Sequence, residues 1–214
     1  MSRVISVHHG DYPVNEYEVD VTQAMRDQAL AFAAKIKLGN NQFSRLLPAT
    51  LERTPDNILR ILKLEIQRTY VGKLGELVLL SFLTENGIDC DTGEMFTIYD
   101  GQENTDSYDF MTNSGLSVDV KTGFRSNHTR LLVNRDQFER NPKELYVGVK
   151  LNGQDIPGDD KLIDWDSVQT AVIKGYAEKT YLERVQYRDF GEGLAKGLTY
   201  NRLMGIERLL SYFK

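Results

Sequence analysis

The chain has 214 residues, a net charge of −5, a sequence pI near 5.3, 41% hydrophobic residues and a mean hydropathy of −0.41. That length and apolar content suit one compact domain, and the acidic balance excludes a protein that coats nucleic acid by bulk charge. A single cysteine, Cys90, excludes an internal disulfide and any multi-cysteine zinc site, and no apolar run has membrane-spanning length.

Residues 1–10 carry no signal-peptide apolar region, which together with the lone cysteine makes a cytoplasmic setting the expectation. His8 and His9 are adjacent, so on an extended segment they face opposite sides and make no chelating pair. Residues 21–38 have the spacing of an amphipathic helix, with Asp20 or Thr22 near its start and Gly39 at its close. Leu46-Leu47-Pro48 and Thr54-Pro55 punctuate the next stretch. A second helix is expected from near Asp56, turning Ile58, Ile61, Leu62 and Ile66 to the core. It either runs on into the next helix or breaks near 70–72. These helices are expected to cover one face of a sheet.

In residues 68–87, Val71, Leu74, Val78 and Phe82 follow helical spacing and Asn86-Gly87 stops the helix. Glu76 is embedded in this apolar segment, between Gly75 and Leu77. Gly72 and Gly75 remove bulk beside it, which predicts close approach to a sheet. Gly72-Lys73 lacks the Ser or Thr of a phosphate-binding loop. A plainer account of Glu76 is a place on the helix's solvent face, paired with Lys73 or Lys121.

Tyr108-Asp109-Phe110-Met111-Thr112, a turn at Asn113-Ser114-Gly115 and residues 116–122 read as a β-hairpin. Side chains alternate along a strand, so Asp119 and Lys121 share one face while Val118 and Val120 share the other. The facing strand brings Asp109 beside Asp119. Two carboxylates and an ammonium then converge, a grouping that suits a divalent cation and an attacking water. An exposed ion pair has the same spacing. The second acid–lysine run, Asp159-Asp160-Lys161, lies in a polar Gly/Pro-bearing stretch and reads as solvated loop charge.

Residues 129–134 read as a strand, 135–141 as a short helix stopped by Pro142, and 145–151 as another strand. Trp165 reads as a packed anchor in a loop. Residues 171–176 look like a strand, and 200–213 like a helix with Leu203, Ile206, Leu209 and Leu210 on one side. Gly191, Gly193 and Gly197 are taken as a flexible loop, since no strand–turn–helix unit comes after them.

The charges are segregated. Residues 85–119 contain no Lys or Arg, but hold Glu85, Asp89, Asp91, Glu94, Asp100, Glu103, Asp106, Asp109 and Asp119. Residues 121–150 reverse the balance: Lys121, Arg125, Arg130, Arg135, Arg140, Lys143 and Lys150 face Asp136, Glu139 and Glu144. An acidic pocket beside a basic rim holds a metal ion and backbone phosphates; two ordinary hydrophilic surfaces have the same composition.

The ordered set of the Glu76 helix, the Asp109 strand, the Asp119-Val120-Lys121 strand and the helix–strand unit after it resembles the PD-(D/E)xK nuclease superfamily. The likeness spans about residues 68–151. Tyr108 stands where that family usually has proline. The resemblance implies an α/β fold with a restriction-endonuclease-like core: a central mixed β-sheet flanked by helices, with extra N-terminal helices at about 20–67 and a C-terminal embellishment at about 160–214. It implies catalytic roles for Glu76, Asp109, Asp119 and Lys121. Asp109, Asp119, the Val120 carbonyl and Glu76 would hold Mg²⁺, with Mn²⁺ as a substitute, and Lys121 would position or deprotonate the attacking water. The expected activity is endonucleolytic hydrolysis of DNA, of the type II restriction kind, by a homodimer with one site per strand. Arg125, Asn127, His128 and Arg130 are the candidates for phosphate contacts. A junction-resolving or nicking repair nuclease, an inactive nucleic-acid-binding module of the same fold, and an unrelated α/β protein with ion pairs at these positions remain open.

Overall fold

The structure, a computed structural model, describes residues 1–9, 12–38, 58–92, 95–98, 108–191 and 193–214. Gly10, Gly39, the turns at Leu46-Leu47-Pro48 and Thr54-Pro55, Asp56, and the acids Glu94, Asp100, Glu103 and Asp106 lie outside the described residues.

The chain opens with a hairpin of β1 (Ser2–His9) and β2 (Tyr12–Asp20), then α1 (Gln23–Leu38) and α2 (Ile58–Glu85). Next come β3 (Phe110–Met111), β4 (Ser117–Gly123), β5 (Arg130–Asn134), α3 (Arg135–Arg140) and β6 (Leu145–Asn152). The order helix, strand, strand, strand, helix, strand is the one the sequence predicts. A ribbon of β7 (Asp155–Ile156) and β8 (Asp159–Ile163) leads to β9 (Thr170–Glu178) and α4 (Lys179–Glu183). The chain closes with β10 (Tyr187–Asp189), β11 (Leu194–Thr199) and α5 (Ile206–Phe213).

The central sheet runs β1-β2-β9-β6-β4-β3. Among the described residues only β4 and β6 pair in parallel, Asp119 opposite Tyr146. A parallel pair needs a crossover, and β5 with α3 supplies it. β9, from the stretch expected as C-terminal embellishment, is an inner strand between β2 and β6. Valines and leucines alternating on β4 and β6 (Val118, Val120, Leu145, Val147, Val149) face α2, and Val78, Phe82 and Leu83 close over them. On the other face, Tyr146 and Ala177 join Leu131, Val133, Phe138 and Leu198 in a second core under the small sheet β10-β11-β5. The molecule is thus helices, mixed sheet, and a second layer of small sheet and α3. Among the described residues no helix is long and apolar enough to cross a membrane.

Several local expectations are corrected. α2 is one unbroken helix through residues 70–72. Ile58, expected inward, is 61% exposed, while Ile61 and Leu64 are buried. Gly75 does permit close approach: a Cβ there would lie 1.9 Å from Thr122 Oγ1 on β4. Gly72 does not, since a Cβ there meets nothing within 4 Å. The expected helix over 200–213 is split. Tyr200–Arg202 forms a 3-10 turn, Leu203 enters the second core, and the Met204 backbone exchanges hydrogen bonds of 2.8 and 3.0 Å with Tyr176. Those tertiary bonds take groups that a continuous helix would need for itself. Gly197 belongs to strand β11, not to a loop. Asp159-Asp160-Lys161 lies on β8, and Asp159 makes a two-pronged ion pair with Arg60 of α2 at 2.5 and 2.9 Å. Trp165 packs as expected, 5.6 Å from Tyr70 between ring centres.

Candidate active site

β4 places Asp119 and Lys121 on the sheet face opposite α2, as alternation requires. Asp119 is 6% exposed. Its Oδ2 lies 2.5 Å from Lys121 Nζ, and its Oδ1 accepts a 3.3 Å hydrogen bond from Gln137 Nε2 on α3. Asn134 fixes that helix: its side chain accepts from the Asp136 N–H at 2.9 Å, a local N-cap. Asp119 Oδ2 is buried, and although the Lys121 charge is near, it has no well-directed hydrogen bond.

Asp109 sits where β3 is about to begin. Its N–H donates to the Val118 carbonyl at 3.0 Å, and its Oδ2 accepts from the Val120 N–H at 2.6 Å. The residue lies at the sheet edge, but its carboxyl group is packed round by protein. Burial first, and the Asp119 charge second, push its pKa up to about 6, against the pull of Lys121, the Val120 N–H and Lys73. Asp109 and Asp119 therefore share one electrostatic site, as the hairpin reading proposes. The N–H and C=O of one strand residue face the same edge, so the Val120 carbonyl points to the side that Asp109 occupies.

Glu76 is on the helical side of the sheet and 8% exposed. Lys73, one helical turn earlier, donates to it at 2.5 Å. The same ammonium donates to the Met95 carbonyl at 2.7 Å and lies 5.0 Å from the Phe32 ring centre. The plainer account of Glu76 holds in the pairing with Lys73 and fails in the exposure, since the carboxylate is buried and not on a solvent face. Lys73 also favours the charged form of Asp109, less than Lys121 and the Val120 N–H do.

The sequence missed two residues here. Gln137 gave no signal, being an amide in a short helix. Lys143 was counted with the basic rim, yet it is 3% exposed. Its Nζ donates to the Asn141 carbonyl at 2.9 Å, and its backbone N–H donates to the Tyr146 hydroxyl at 2.9 Å. Burial draws its ammonium below the ordinary lysine range, opposed by the charges of Asp119 and Asp109 and reinforced by Lys121.

The expected phosphate contacts are mixed in position. Arg130 and Asn127 are exposed. Arg125 is half-buried, donates to the Lys161 carbonyl at 3.3 Å and lies over the Phe124 ring. His128 Nδ1 accepts from the Phe124 N–H at 3.2 Å. Lys150 donates to the Arg125 and His128 carbonyls, and burial pushes its pKa down to about 8. The outward-facing cations of the basic run are Arg130, Arg135 and Arg140, Arg135 paired with Glu139 at 3.0 Å.

Among the described residues no three His, Cys, Asp or Glu side chains gather closely enough to hold an ion. The donor set that fits a hard divalent cation is smaller: the Asp109 and Asp119 carboxylates, including the buried Asp119 Oδ2 without a hydrogen bond, and the Val120 carbonyl. Oxygen donors with waters in the remaining places are what magnesium prefers. A cleft between α1, α2 and the Trp165 turn, lined by Arg26, Tyr70 and Trp165, lies away from these carboxylates. No protein-family model, curated protein or solved structure matches the chain.

Proposed function

We propose that this protein is a Mg²⁺-dependent endonuclease that hydrolyses DNA phosphodiester bonds, in the manner of a restriction endonuclease. The observation that carries the reading is the pairing of Asp109 and Asp119, two enclosed carboxylates on adjacent strands, with Lys121 at 2.5 Å from one of them. Holding two like charges together costs stability, and such arrangements concentrate at functional sites.

A divalent cation held by the two carboxylates and the Val120 carbonyl supplies Lewis acidity at the phosphate. Asp109 and Asp119 bind it, and Gln137 keeps Asp119 aimed. Lys121 orients the attacking water and offsets charge at the five-coordinate phosphorus. The water oxygen bonds to phosphorus and one P–O ester bond breaks. Of the water's two protons, one leaves to solvent or base and one ends on the departing alkoxide. Lys73, held by Glu76, adds to the positive field at Asp109. Arg130, with Arg135 and Arg140, offers the exposed cations for the DNA backbone. DNA rather than RNA rests on the likeness to the restriction-endonuclease type. Cutting both strands calls for a homodimer.

The test is cleavage of supercoiled plasmid with Mg²⁺ or with EDTA, by wild type, Asp119→Ala and Lys121→Ala. The expected result is Mg²⁺-dependent cutting by wild type, reduced at least about 100-fold by either substitution. Discrete bands indicate a restriction-type enzyme; nicking, or preference for a four-way junction, indicates a repair or junction-resolving nuclease. DNA binding without cutting, unchanged by either substitution, refutes the enzyme and leaves a binding module.

A further inference from the structure

We propose that Lys143 is a further catalytic residue of this site, and that its ammonium binds a non-bridging oxygen of the scissile phosphodiester. The inference rests on the nuclease reading and adds a substrate contact that the hairpin motif does not contain.

The placement is specific. Lys143 lies in the short connection between α3 and β6, two residues before Leu145, which pairs with Val118 of the carboxylate strand. Tyr146, whose hydroxyl holds the Lys143 N–H, is the cross-strand partner of Asp119, so Lys143 joins the sheet on the face that carries Asp119 and Lys121, and its ammonium lies in the field of Asp119, Asp109, Lys121 and Glu144. Its backbone is fixed at both ends. Pro142 restricts the preceding φ, and the Lys143 N–H is tied to the hydroxyl of Tyr146, a fully buried ring packed 6.1 Å from Phe138 of α3. Burial of the stem and the hydrogen bond to the Asn141 carbonyl hold the ammonium in place.

The chemistry leaves a role open for it. An ammonium has three N–H donors; the Asn141 carbonyl takes one. Lys121 stands beside Asp119 on the side of the attacking water, and Lys73 is bound to Glu76 and the Met95 carbonyl. Arg125 and Lys150 are turned to backbone carbonyls. The pentavalent phosphate needs a donor within the site, beyond the cations that grip flanking phosphates. Among the described residues Lys143 is a buried cation at the carboxylate face of the sheet whose ammonium hydrogen-bonds a carbonyl and neither Asp109 nor Asp119. Charge counting agrees: Glu76, Asp109, Asp119 and Glu144 give −4, and Lys73, Lys121 and Lys143 give +3. A divalent ion then leaves a surplus of positive charge that an anionic substrate offsets. A lysine serving only as a structural counter-ion would be poorly chosen, since apolar side chains fill buried positions at no desolvation cost.

The experiment compares wild type, Lys143→Met and Lys143→Arg in single-turnover plasmid cleavage, with DNA affinity, Mn²⁺ affinity by calorimetry and melting temperature measured on the same preparations. Lys143→Met keeps the stem and removes the charge. The expected result is a fall of about 100- to 1,000-fold in the single-turnover rate at saturating DNA and metal. DNA affinity should change by less than about threefold, Mn²⁺ affinity should stay or rise, and folding should persist. Lys143→Arg, which retains a donor, should recover at least about tenfold of that loss. If Lys143→Met does not fold, Lys143→Gln, which keeps a polar side chain and removes the charge, takes its place: loss of cutting with DNA and Mn²⁺ affinities unchanged supports the proposal, and wild-type cutting overturns it. A wild type that cuts while Lys143→Met cuts within threefold of it overturns the proposal and leaves the nuclease standing. Loss of rate explained entirely by weaker DNA or metal binding also overturns it. A wild type that cuts no DNA removes the nuclease reading and this proposal with it.

Discussion

Asp109→Asn should make the protein more stable at neutral pH, and the size of the gain should depend on pH in a defined way. Burial and the nearby Asp119 raise the Asp109 pKa from 3.8 to about 6 in the folded chain. Below pH 3.8 the carboxyl is protonated in folded and unfolded chains alike, and no penalty exists. Between 3.8 and about 6 the unfolded chain has released this proton and the folded chain has not, so stability falls as pH rises. Above about 6 the loss is complete. At 1.36 kcal/mol per pKa unit, the penalty is about 3 kcal/mol as a ceiling. Asparagine keeps an oxygen to accept from the Val120 N–H and removes the charge. Urea unfolding of wild type and Asp109→Asn from pH 4.5 to 8 measures the difference. The variant's advantage should grow up to pH 6–7 and then level off. Saturating Mg²⁺ at pH 7.5 should stabilise wild type by about 2.7 kcal/mol at one hundred times its Kd and leave the variant nearly unmoved. An advantage that does not vary with pH, or that opens only above pH 8, refutes the shared-site argument.

Two other perturbations probe the elements that hold this site in place. Lys73→Met takes the ammonium from buried Glu76 and should cost about 3–5 kcal/mol in urea unfolding, most of it recovered when Glu76→Gln is added. Additive costs in that double-mutant cycle would mean the two side chains do not depend on each other. Gly75→Ala forces a Cβ to 1.9 Å from Thr122 Oγ1 and should cost about 1–3 kcal/mol, partly relieved by Thr122→Ala. Gly72→Ala, in open space on the same helix, should instead stabilise by about 0.5–1 kcal/mol. Equal effects at the two glycines would remove the contact between α2 and β4 as the reason for Gly75.

The parts of the site that sequence made legible are those governed by local period. Asp119 and Lys121 share a face because strand side chains alternate, and their valine neighbours reveal the buried side. Asp109 follows from the turn at Asn113–Gly115, which sets the register of Phe110 against Val118. What stayed hidden depends on tertiary bonds. The break before α5 comes from Met204 pairing with Tyr176, and neither residue carries a breaking signal of its own. The inner place of β9 follows from β2 and β6 both pairing with it, across about 150 residues of separation at the β2 end. Lys143 counted as one more charge in a basic run, because exposure is the rule for lysine. Its burial is set by Tyr146 and Pro142, whose geometry emerges only when α3 packs on the sheet.

The balance of charge in this site separates a working centre from ordinary ion pairing. If the acids and lysines were there for stability, each carboxylate would have directed partners, as Asp159 has in its two-pronged, part-buried pair with Arg60. At the carboxylate pair the pairing is incomplete. Lys121 faces one Asp119 oxygen without a directed hydrogen bond, and Asp109 takes a backbone N–H in place of a full ion pair. Lys143 gives its ammonium hydrogen bond to a carbonyl while two carboxylates lie within reach of its field. Incomplete pairing inside a low-dielectric enclosure is unfavourable for the folded chain alone. It becomes favourable when a cation joins the acids and a phosphate joins the lysines. The same groups that weaken the fold at neutral pH are therefore the ones whose interactions are completed only with substrate.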